Sequence, residues 1–293
     1  MDSRYEQLFT RQRALIGQSE KEADARRAYL LDEVAYALSE QLLPTGGGLG
    51  IPLPDEYGEM LSRFSREEKS FLTLRLYEHL RTREKEIKAS DFLFPEEVAA
   101  GGEHIVYVQN FYTERAYEIF AEAMKNPTVS YAPDFINACA EVGEGLADLC
   151  ILPFRDERWA TFHSFSKMPE DYGLTVCAVC TAERTDGEIM RLSLCGRGCR
   201  VPEDAKELAV EFFFSSHDGE DFEDIRHLVG TLGGQTVFAQ ALPDRYTAMT
   251  SWRITYKLEA SALAPLLLGR RLLSPESELF GIYEMPSLSD REA

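Results

Sequence analysis

Residues 104–154 decide the fold class, and they read HIVYVQNFYTERAYEIFAEAMKNPTVSYAPDFINACAEVGEGLADLCILPF. Three short β-rich runs, HIVYV, TVSYA and DLCILPF, alternate with two segments whose apolar residues recur with a helical period. The last run is almost continuously apolar, which is typical of a strand buried on both faces of a parallel sheet. A strand, helix, strand, helix, strand order predicts a parallel sheet with right-handed crossovers.

The residues that follow this stretch predict more sheet. GLTVCAVCTAE at 173–183 and IMRLSLCG at 189–196 are two strands joined across TDG, which is a hairpin-type turn signal. The segments from 206 to 286 then predict strand, helix, strand, strand, helix and strand. This βαββαβ order is the ferredoxin-like plan. We therefore expect an α/β lobe at 103–200 and a ferredoxin-like domain at 206–286.

The residues that precede the stretch predict a helical module at 1–95. Leu31, Val34, Leu38 and Leu42 recur at three- and four-residue steps and mark one long helix over 4–43, which Pro44 stops. The sequence TGGGLGIPLP at 45–54 is a connector, and a short helix follows it. Ser65 and Glu68 form a capping box that begins a third helix, predicted to end near Lys88. The predicted fold class is therefore multidomain α plus α/β, with an N-terminal helical bundle, a parallel-sheet lobe and a C-terminal βαββαβ unit.

Composition limits the classes of partner. The 293 residues carry 31 Lys and Arg against 50 Asp and Glu, a formal net charge of −19, and 44% of them are hydrophobic. The apolar content is ample for packed cores. The negative charge disfavours nucleic acid and anionic membrane surfaces, which are bound by fields of lysine and arginine. The N-terminal MDSRYEQLFTRQR lacks the apolar core of a signal peptide, so we expect a cytoplasmic protein that does not associate with membranes.

Two segments of the opening stretch resemble bifunctional chorismate mutase/prephenate dehydratase enzymes. VYVQNFYTERAYEIFAEAM is similar to the first strand and helix of the dehydratase domain, where Gln109, Thr113 and Glu114 stand at the places of the family's Tyr-Gln-Gly start and Ser-Glu pair. FINACAEVGEGLADLCILPFRD resembles the family's stretch ending in Leu-Pro-Ile-Glu-Asn. The residues that match it are Gly145, Ala147, Asp148, Leu152 and Pro153.

The order of the segments extends the resemblance to both ends of the chain. The leading helices look like a chorismate mutase domain, and the βαββαβ unit stands where the family carries its ACT regulatory domain. The resemblance implies a small aromatic or dicarboxylate ligand and no cofactor. Because ACT-like units pair edge to edge, it also implies a homodimer.

The departures from the family pattern predict that dehydration is lost. The family's Thr-Arg-Phe motif, whose threonine is implicated in expelling the hydroxyl, appears here as Met190, Arg191 and Leu192. Methionine has no transferable proton, so the acid step lacks its donor. Roughly 95 residues lie between Glu103 and Cys199, about half of what two dehydratase lobes need. We therefore expect a pseudoenzyme with one lobe, which binds a metabolite or a partner protein.

Candidate ligand-binding residues lie at the changed positions. Where the family has Glu-Asn-Ser or Glu-Asn-Thr, this chain has Arg155, Asp156 and Glu157. Arginines are the natural partners of a carboxylate ligand, although surface ion pairs are the alternative interpretation. The predicted ligand-binding set is Thr113, Glu114, Arg155, Asp156, Arg158 and Arg191.

Two alternative activities stay open at this point. One is a dehydratase completed in trans by a partner chain. The other is an active chorismate mutase, with Arg11, Arg13 and Asp55 as candidate residues of the helical module. Glu56 and Tyr57 stand where that family has an arginine, and arginines on a long polar helix are also explained by a solvated face.

The cysteine spacing admits two interpretations. Cys177 and Cys180, followed by Cys195 and Cys199, could supply four thiolates to zinc. Against this, residues three apart on a strand point to opposite faces, and the first pair lies in an apolar β-rich run. Buried free thiols are therefore favoured, and no metal is expected.

Overall fold

The computed structural model describes residues 3–42, 55–83, 87–99, 101–154, 164–202, 204–216, 220–243 and 250–284. The chain divides into two compact units, Met1–Ile87 and Lys88–Ala293. The helices are α1 (Ser3–Gln41), α2 (Asp55–Leu61), α3 (Arg66–Arg83), α4 (Phe111–Glu122), α5 (Phe135–Gly143), α6 (Ser164–Asp171), α7 (Glu220–Thr231) and α8 (Leu263–Leu273). The strands are β1 (His104–Val108), β2 (Thr128–Ala132), β3 (Leu149–Pro153), β4 (Thr175–Glu183), β5 (Ile189–Gly196), β6 (Glu207–Ser216), β7 (Gln235–Pro243), β8 (Thr250–Glu259) and β9 (Glu278–Tyr283). Among the helices described, none combines the length and the apolar character that crossing a bilayer would need.

The first unit is helical, as predicted. The second half of α1 packs along α3, and apolar residues at three- and four-residue steps are buried on both helices: Leu31, Ala35 and Leu38 on α1, and Leu72, Leu76 and Leu80 on α3. The predicted capping box is confirmed: the Ser65 amide donates to Glu68 Oε2 at 2.8 Å, and the Glu68 amide donates to Ser65 Oγ at 3.3 Å. The helix that it begins is described as far as Arg83, residues 84–86 lie outside the described residues, and Ile87 and Lys88 are not helical. Short 3₁₀ turns follow, the first of them fixed by the Lys88 amide, which donates to Asp91 Oδ2 at 2.7 Å.

The second unit is built on one nine-stranded sheet, in the order β2-β1-β3-β5-β4-β9-β6-β8-β7. Strand β1 pairs in parallel with both β2 and β3, which confirms the parallel core predicted at 104–154. Strand β5 runs antiparallel to β3, so the lobe that was predicted as a parallel sheet belongs to a mixed sheet, in which the predicted hairpin of β4 and β5 is antiparallel. The cause is the tight β4–β5 turn, where Gly187 adopts a φ of +83°, because a turn this short can join only antiparallel strands.

The last four strands and two helices follow the predicted βαββαβ order, with neighbouring strands antiparallel throughout. They do not form a separate sheet. Strand β9 pairs in parallel with β4, and Val176 is in register with Gly281. The segments predicted as an α/β lobe and a ferredoxin-like domain therefore share one continuous sheet.

Two apolar cores cover the two faces of the sheet around β1 and β3. One core lies beneath α4 and contains Ala116 and Phe120 of that helix. The other lies beneath α5 and α6 and contains Val142 and Met168. Strand β3 contributes alternate residues to each core, which is why its five residues are all buried. The near-continuous apolar run in the sequence is explained by this two-sided burial.

Candidate functional site

The carboxyl ends of β1 and β3 lie at a topological switch point. The chain leaves β1 through α4 to reach β2 on one side, and then passes through α5 to reach β3 on the other side. Helices α4 and α5 consequently cover opposite faces of the sheet. In open α/β sheets the crevice outside the strand ends at such a point is the usual ligand site. We call this region the switch-point edge, defined by Gln109–Glu114, Phe154 and Arg191.

Arg191 reaches this edge because β5 runs antiparallel to β3. Pro153, the last residue of β3, is in register with Leu192, and the Phe154 amide donates to the Arg191 carbonyl at 2.9 Å. The side chain of Arg191 is exposed. No carboxylate within the described parts of the chain lies at ion-pair distance from its guanidinium. Arg191 is therefore a cation that is available to a ligand.

Met190, the neighbouring residue, lies on the other face of the strand. Its side chain is buried in the core beneath α4, together with Ile105, Tyr107 and Phe120. Successive side chains of a strand alternate between faces, so Met190 and Arg191 cannot approach one ligand together. The position that matches the family's threonine points away from the exposed guanidinium.

Thr113 is part of the turn that joins β1 to α4. Its hydroxyl is buried, donates to the Val108 carbonyl at 2.5 Å and accepts from the Asn110 amide at 3.2 Å. Asn110 caps the helix, because its Oδ1 accepts from the Tyr112 and Thr113 amides at 3.0 and 3.1 Å. These bonds occupy two of the amides at the first turn of α4. The Thr113 hydroxyl is therefore committed to the turn.

Glu114 lies one residue further along α4 and is exposed at the same edge. Its Oε1 accepts from Gln109 Nε2 at 3.0 Å. The structure thus brings together Gln109 and Glu114, which the resemblance matched to the family's first strand and first helix. The carboxylate adds negative charge, so a carboxylate ligand has to approach from the Arg191 side.

Aromatic side chains flank the edge. Phe111 is exposed and lies edge-on to Tyr112, with ring centroids 5.4 Å apart. The Tyr112 hydroxyl donates to Glu188 Oε2, in the β4–β5 turn, at 2.6 Å. Phe154 lies edge-on to Tyr283, with centroids 5.7 Å apart. Apolar walls with a few polar groups are the usual composition of a small-molecule site.

A buried ion pair joins two neighbouring strands of the same sheet, β6 and β8. Glu211 on β6 is 0% exposed, and Arg253 on β8 is 4% exposed; the Arg253 guanidinium donates to Glu211 Oε1. The Tyr283 hydroxyl donates to Glu211 Oε2 at 3.1 Å, and Arg253 lies 4.2 Å from the ring centroid of Phe280. The residue pattern did not predict this cluster. The available signal was Glu211 within the apolar run AVEFFF and Arg253 within the run WRIT of the strand segments.

The cysteines are six buried free thiols. The prediction that Cys177 and Cys180 face opposite sides is wrong, because a β-bulge between Val176 and Ala178 turns both side chains into the core beneath α4. Cys195 lies in the other core. Burial raises the pKa of Cys180 to about 12 and also raises the pKa values of Cys177, Cys195 and Cys199. Within the described ranges, no three His, Cys, Asp or Glu side chains are arranged to hold a metal ion.

Several predicted site residues are not placed by the structure. Arg155, Asp156 and Arg158 follow Phe154 directly and lie outside the described residues. Arg13 belongs to α1 and Asp55 begins α2, and the side chains of both are likewise outside the described part. Arg11 is exposed on α1.

The first unit has its own polar cluster between α1 and α3. Asp32 accepts from Arg75 Nε at 2.6 Å and lies 2.9 Å from His79 Nε2, while Arg83 donates to Glu40 at 3.0 Å. The hydrogen bond from Arg75 lowers the pKa of Asp32. A third arginine, Arg27 of α1, pairs with Glu68 of α3, so all three of these described interhelical arginines already have carboxylate partners. A dicarboxylate ligand would have to displace Asp32, Glu40 or Glu68 to reach them.

Comparisons with known proteins give distant structural likenesses. No family model and no curated protein matches the chain. A structure described as GqqA, a novel type of quorum-quenching acylase, is 16% identical, covering 64% of this chain and 97% of its own, with a TM-score of 0.45. The prephenate dehydratase of Arthrobacter aurescens in complex with L-Phe is 12% identical, covering 62% and 90%, with a TM-score of 0.46. The prephenate dehydratase of Streptococcus mutans is 11% identical, covering 62% and 98%, with a TM-score of 0.45. Likenesses at this level assign neither a family nor an activity to the chain.

Proposed function

We propose that the chain binds a small aromatic carboxylate at the switch-point edge and does not dehydrate it. The observation that carries the proposal is the exposed guanidinium of Arg191 beside the ends of β1 and β3. The sequence resemblance at 104–154 supports the same class of ligand.

The chemistry of the edge suits such a ligand. A guanidinium presents parallel N–H donors to both oxygens of a carboxylate. Phe111, which is 48% exposed at the start of α4, offers apolar surface for a ring at this edge. In a chain of net charge −19, an anionic ligand is attracted only where a cation is left without a carboxylate partner.

Dehydration needs a proton donor at the departing hydroxyl. Among the described residues of the edge, the Thr113 hydroxyl donates to a backbone carbonyl and the Tyr112 hydroxyl donates to Glu188. Met190 is buried on the other face and has no proton to give. We therefore propose binding without elimination.

The active mutase, with its candidates Arg11, Arg13 and Asp55, stays a prediction from the resemblance; the described arginines that bridge α1 and α3 already have carboxylate partners. Binding of an amino acid by the βαββαβ segment, a partner-protein role, and pairing of these segments in a homodimer stay predictions from the resemblance.

Replacing Arg191 by alanine is expected to weaken phenylpyruvate binding at least tenfold, because the charge-assisted hydrogen bonds to the carboxylate are lost; such bonds contribute about 1.5–3 kcal/mol. Isothermal titration calorimetry on the full chain measures the dissociation constants. Arg191→Lys keeps the charge without the planar donor pair and should lose less affinity.

The matched control is Arg226→Ala, which removes an exposed arginine from α7, where it is bonded to Glu223 at 2.6 Å. It should leave phenylpyruvate affinity unchanged. Equal affinities for the wild type, Arg191→Ala and Arg226→Ala would show that the site lies elsewhere.

A further inference from the structure

A serine and a histidine lie within hydrogen-bond distance of each other near the outer edge of the sheet. His104 is the first residue of β1, Ser130 lies in the middle of β2, and His104 Nε2 lies 2.9 Å from Ser130 Oγ. Both residues are half-buried, so each is held in place and still reached by solvent. In the neutral tautomer with its proton on Nδ1, the imidazole accepts from the hydroxyl, which is the arrangement that activates a serine as a nucleophile.

The strand register places the two side chains on one face of the sheet. His104 and Val106 are alternate residues of β1, and Ser130 and Ala132 are alternate residues of β2. Val106 and Ala132 belong to the core beneath α5 and α6, so His104 and Ser130 also point to that side. The His104 amide donates to Asp148 Oδ2 at 2.9 Å, and its carbonyl accepts from the Asp148 amide at 3.0 Å. The backbone that carries the imidazole is therefore fixed on both sides of the residue.

The outer edge of β2 supplies a hydrogen-bond donor beside the serine. Strand β2 is the last strand at one end of the sheet, and no described strand pairs with its outer edge. The Thr128 amide donates to the Glu103 carbonyl at 3.1 Å, so Thr128 and Ser130 direct their backbone groups toward β1, and Tyr131 directs its own to the outer edge. The amide that follows a nucleophilic serine is a common donor to the oxyanion of acyl transfer. The Tyr131 amide lies at this position.

We propose that Ser130 and His104 form a second site, separate from the switch-point edge, that hydrolyses carboxylic esters. Ser130 Oγ bonds to the ester carbonyl carbon while its proton passes to His104 Nε2, and the Tyr131 amide donates to the carbonyl oxygen as that oxygen gains negative charge. The bond from the carbonyl carbon to the alkoxide then breaks, and the alkoxide leaves as an alcohol with the proton from His104. Water attacks the acyl-serine and gives its proton to His104. The carboxylic acid is released as Ser130 regains that proton.

Exposed apolar residues on the same side favour an uncharged ester with an apolar acyl group. Ile136, in the first turn of α5, is 55% exposed, and Leu146, between α5 and β3, is 66% exposed. Leu146 comes two residues before Asp148, whose amide is bonded to His104, so Leu146 lies at the same end of the sheet as the imidazole. The net charge of −19 disfavours an anionic ester. The butanoyl ester of 4-nitrophenol is therefore a suitable probe.

Hydrolysis of 4-nitrophenyl butyrate by the full chain measures the proposed activity. Ser130→Ala and His104→Ala are each expected to lower kcat/KM at least a hundredfold, because a positioned general base contributes about 10²–10⁴-fold. The double variant should lose no more than either single variant, since groups that act as one unit are not additive. Ser62→Ala is the matched control, because this exposed serine donates to the Glu59 carbonyl at 2.7 Å, and it should keep the wild-type rate.

A fluorophosphonate probe gives a second test that needs no variant. An activated serine displaces fluoride from its phosphorus atom and keeps the phosphonyl group. Peptide mass spectrometry of the labelled wild-type chain is expected to find that group on Ser130 and not on Ser62. Absence of the label from Ser130, or equal labelling of both serines, would overturn the site. Hydrolysis by Ser130→Ala at the wild-type rate would assign the reaction to an imidazole alone and would contradict the proposal as well.

Discussion

Replacing Arg253 by methionine is expected to lower the free energy of unfolding by about 3–5 kcal/mol, because it breaks a buried ion pair by removing one partner. The substitution leaves the Glu211 carboxylate in the core without the guanidinium that compensates its charge. The hydrogen bond from the Tyr283 hydroxyl remains, but a neutral donor does not offset the desolvation of a carboxylate. Urea denaturation at neutral pH measures the loss.

The double variant Glu211→Met/Arg253→Met separates charge from packing. Removing both charges should recover a large part of the stability lost in Arg253→Met, because an apolar pair of similar volume carries no desolvation cost. Arg226→Met, at an exposed ion pair on α7, should change stability by less than about 1 kcal/mol. If Arg253→Met behaves like Arg226→Met, the ion pair between β6 and β8 is not buried as described.

Replacing Gly281 by valine is expected to cost about 3 kcal/mol, because the position joins the two halves of the sheet. Gly281 on β9 is in register with Val176 on β4. A Cβ atom at this position would lie 2.8 Å from the Val176 carbonyl oxygen and 3.0 Å from Val176 Cβ. The strands would have to move apart, and the contact is with backbone that cannot rotate away.

The matched control is Gly230→Val on α7, where an added Cβ would meet nothing within 4 Å. Its effect should stay within about 0.5 kcal/mol, as for most surface substitutions. Denaturation curves for both variants should keep a single transition if the sheet unfolds as one unit. Equal stabilities for the two valine variants would contradict the pairing of β4 with β9.

Local patterns predicted the elements of this fold well. The β-branched runs and helical periods at 104–154 identified the parallel core, and Ser65 with Glu68 identified the start of α3. The pairing of β4 with β9 could not be predicted in this way, because it joins residues more than a hundred positions apart and no local period encodes it. The bulge at Cys177 could not be predicted either. It turns the side chains of Cys177 and Cys180 to the same face, where strict alternation predicts opposite faces.

The candidate site was predictable in part for the same reason. Gln109 and Glu114 meet because a strand and the helix that follows it are neighbours in sequence and in space. The antiparallel pairing of β5 with β3 brings Arg191 to the carboxyl end of β3, and this long-range pairing could not be predicted from the local pattern. Residue type alone could not show that the Thr113 hydroxyl is committed to the Val108 carbonyl.

The most direct measurement is a titration of the full chain with prephenate at pH 8, by calorimetry, with phenylpyruvate followed in the same samples. Binding without dehydration predicts a saturable heat that is lost in Arg191→Ala and kept in Arg226→Ala, and no phenylpyruvate beyond the protein-free rate. Phenylpyruvate formed in proportion to protein concentration would contradict the loss of dehydration. The absence of binding heat with both prephenate and phenylpyruvate would contradict the site itself.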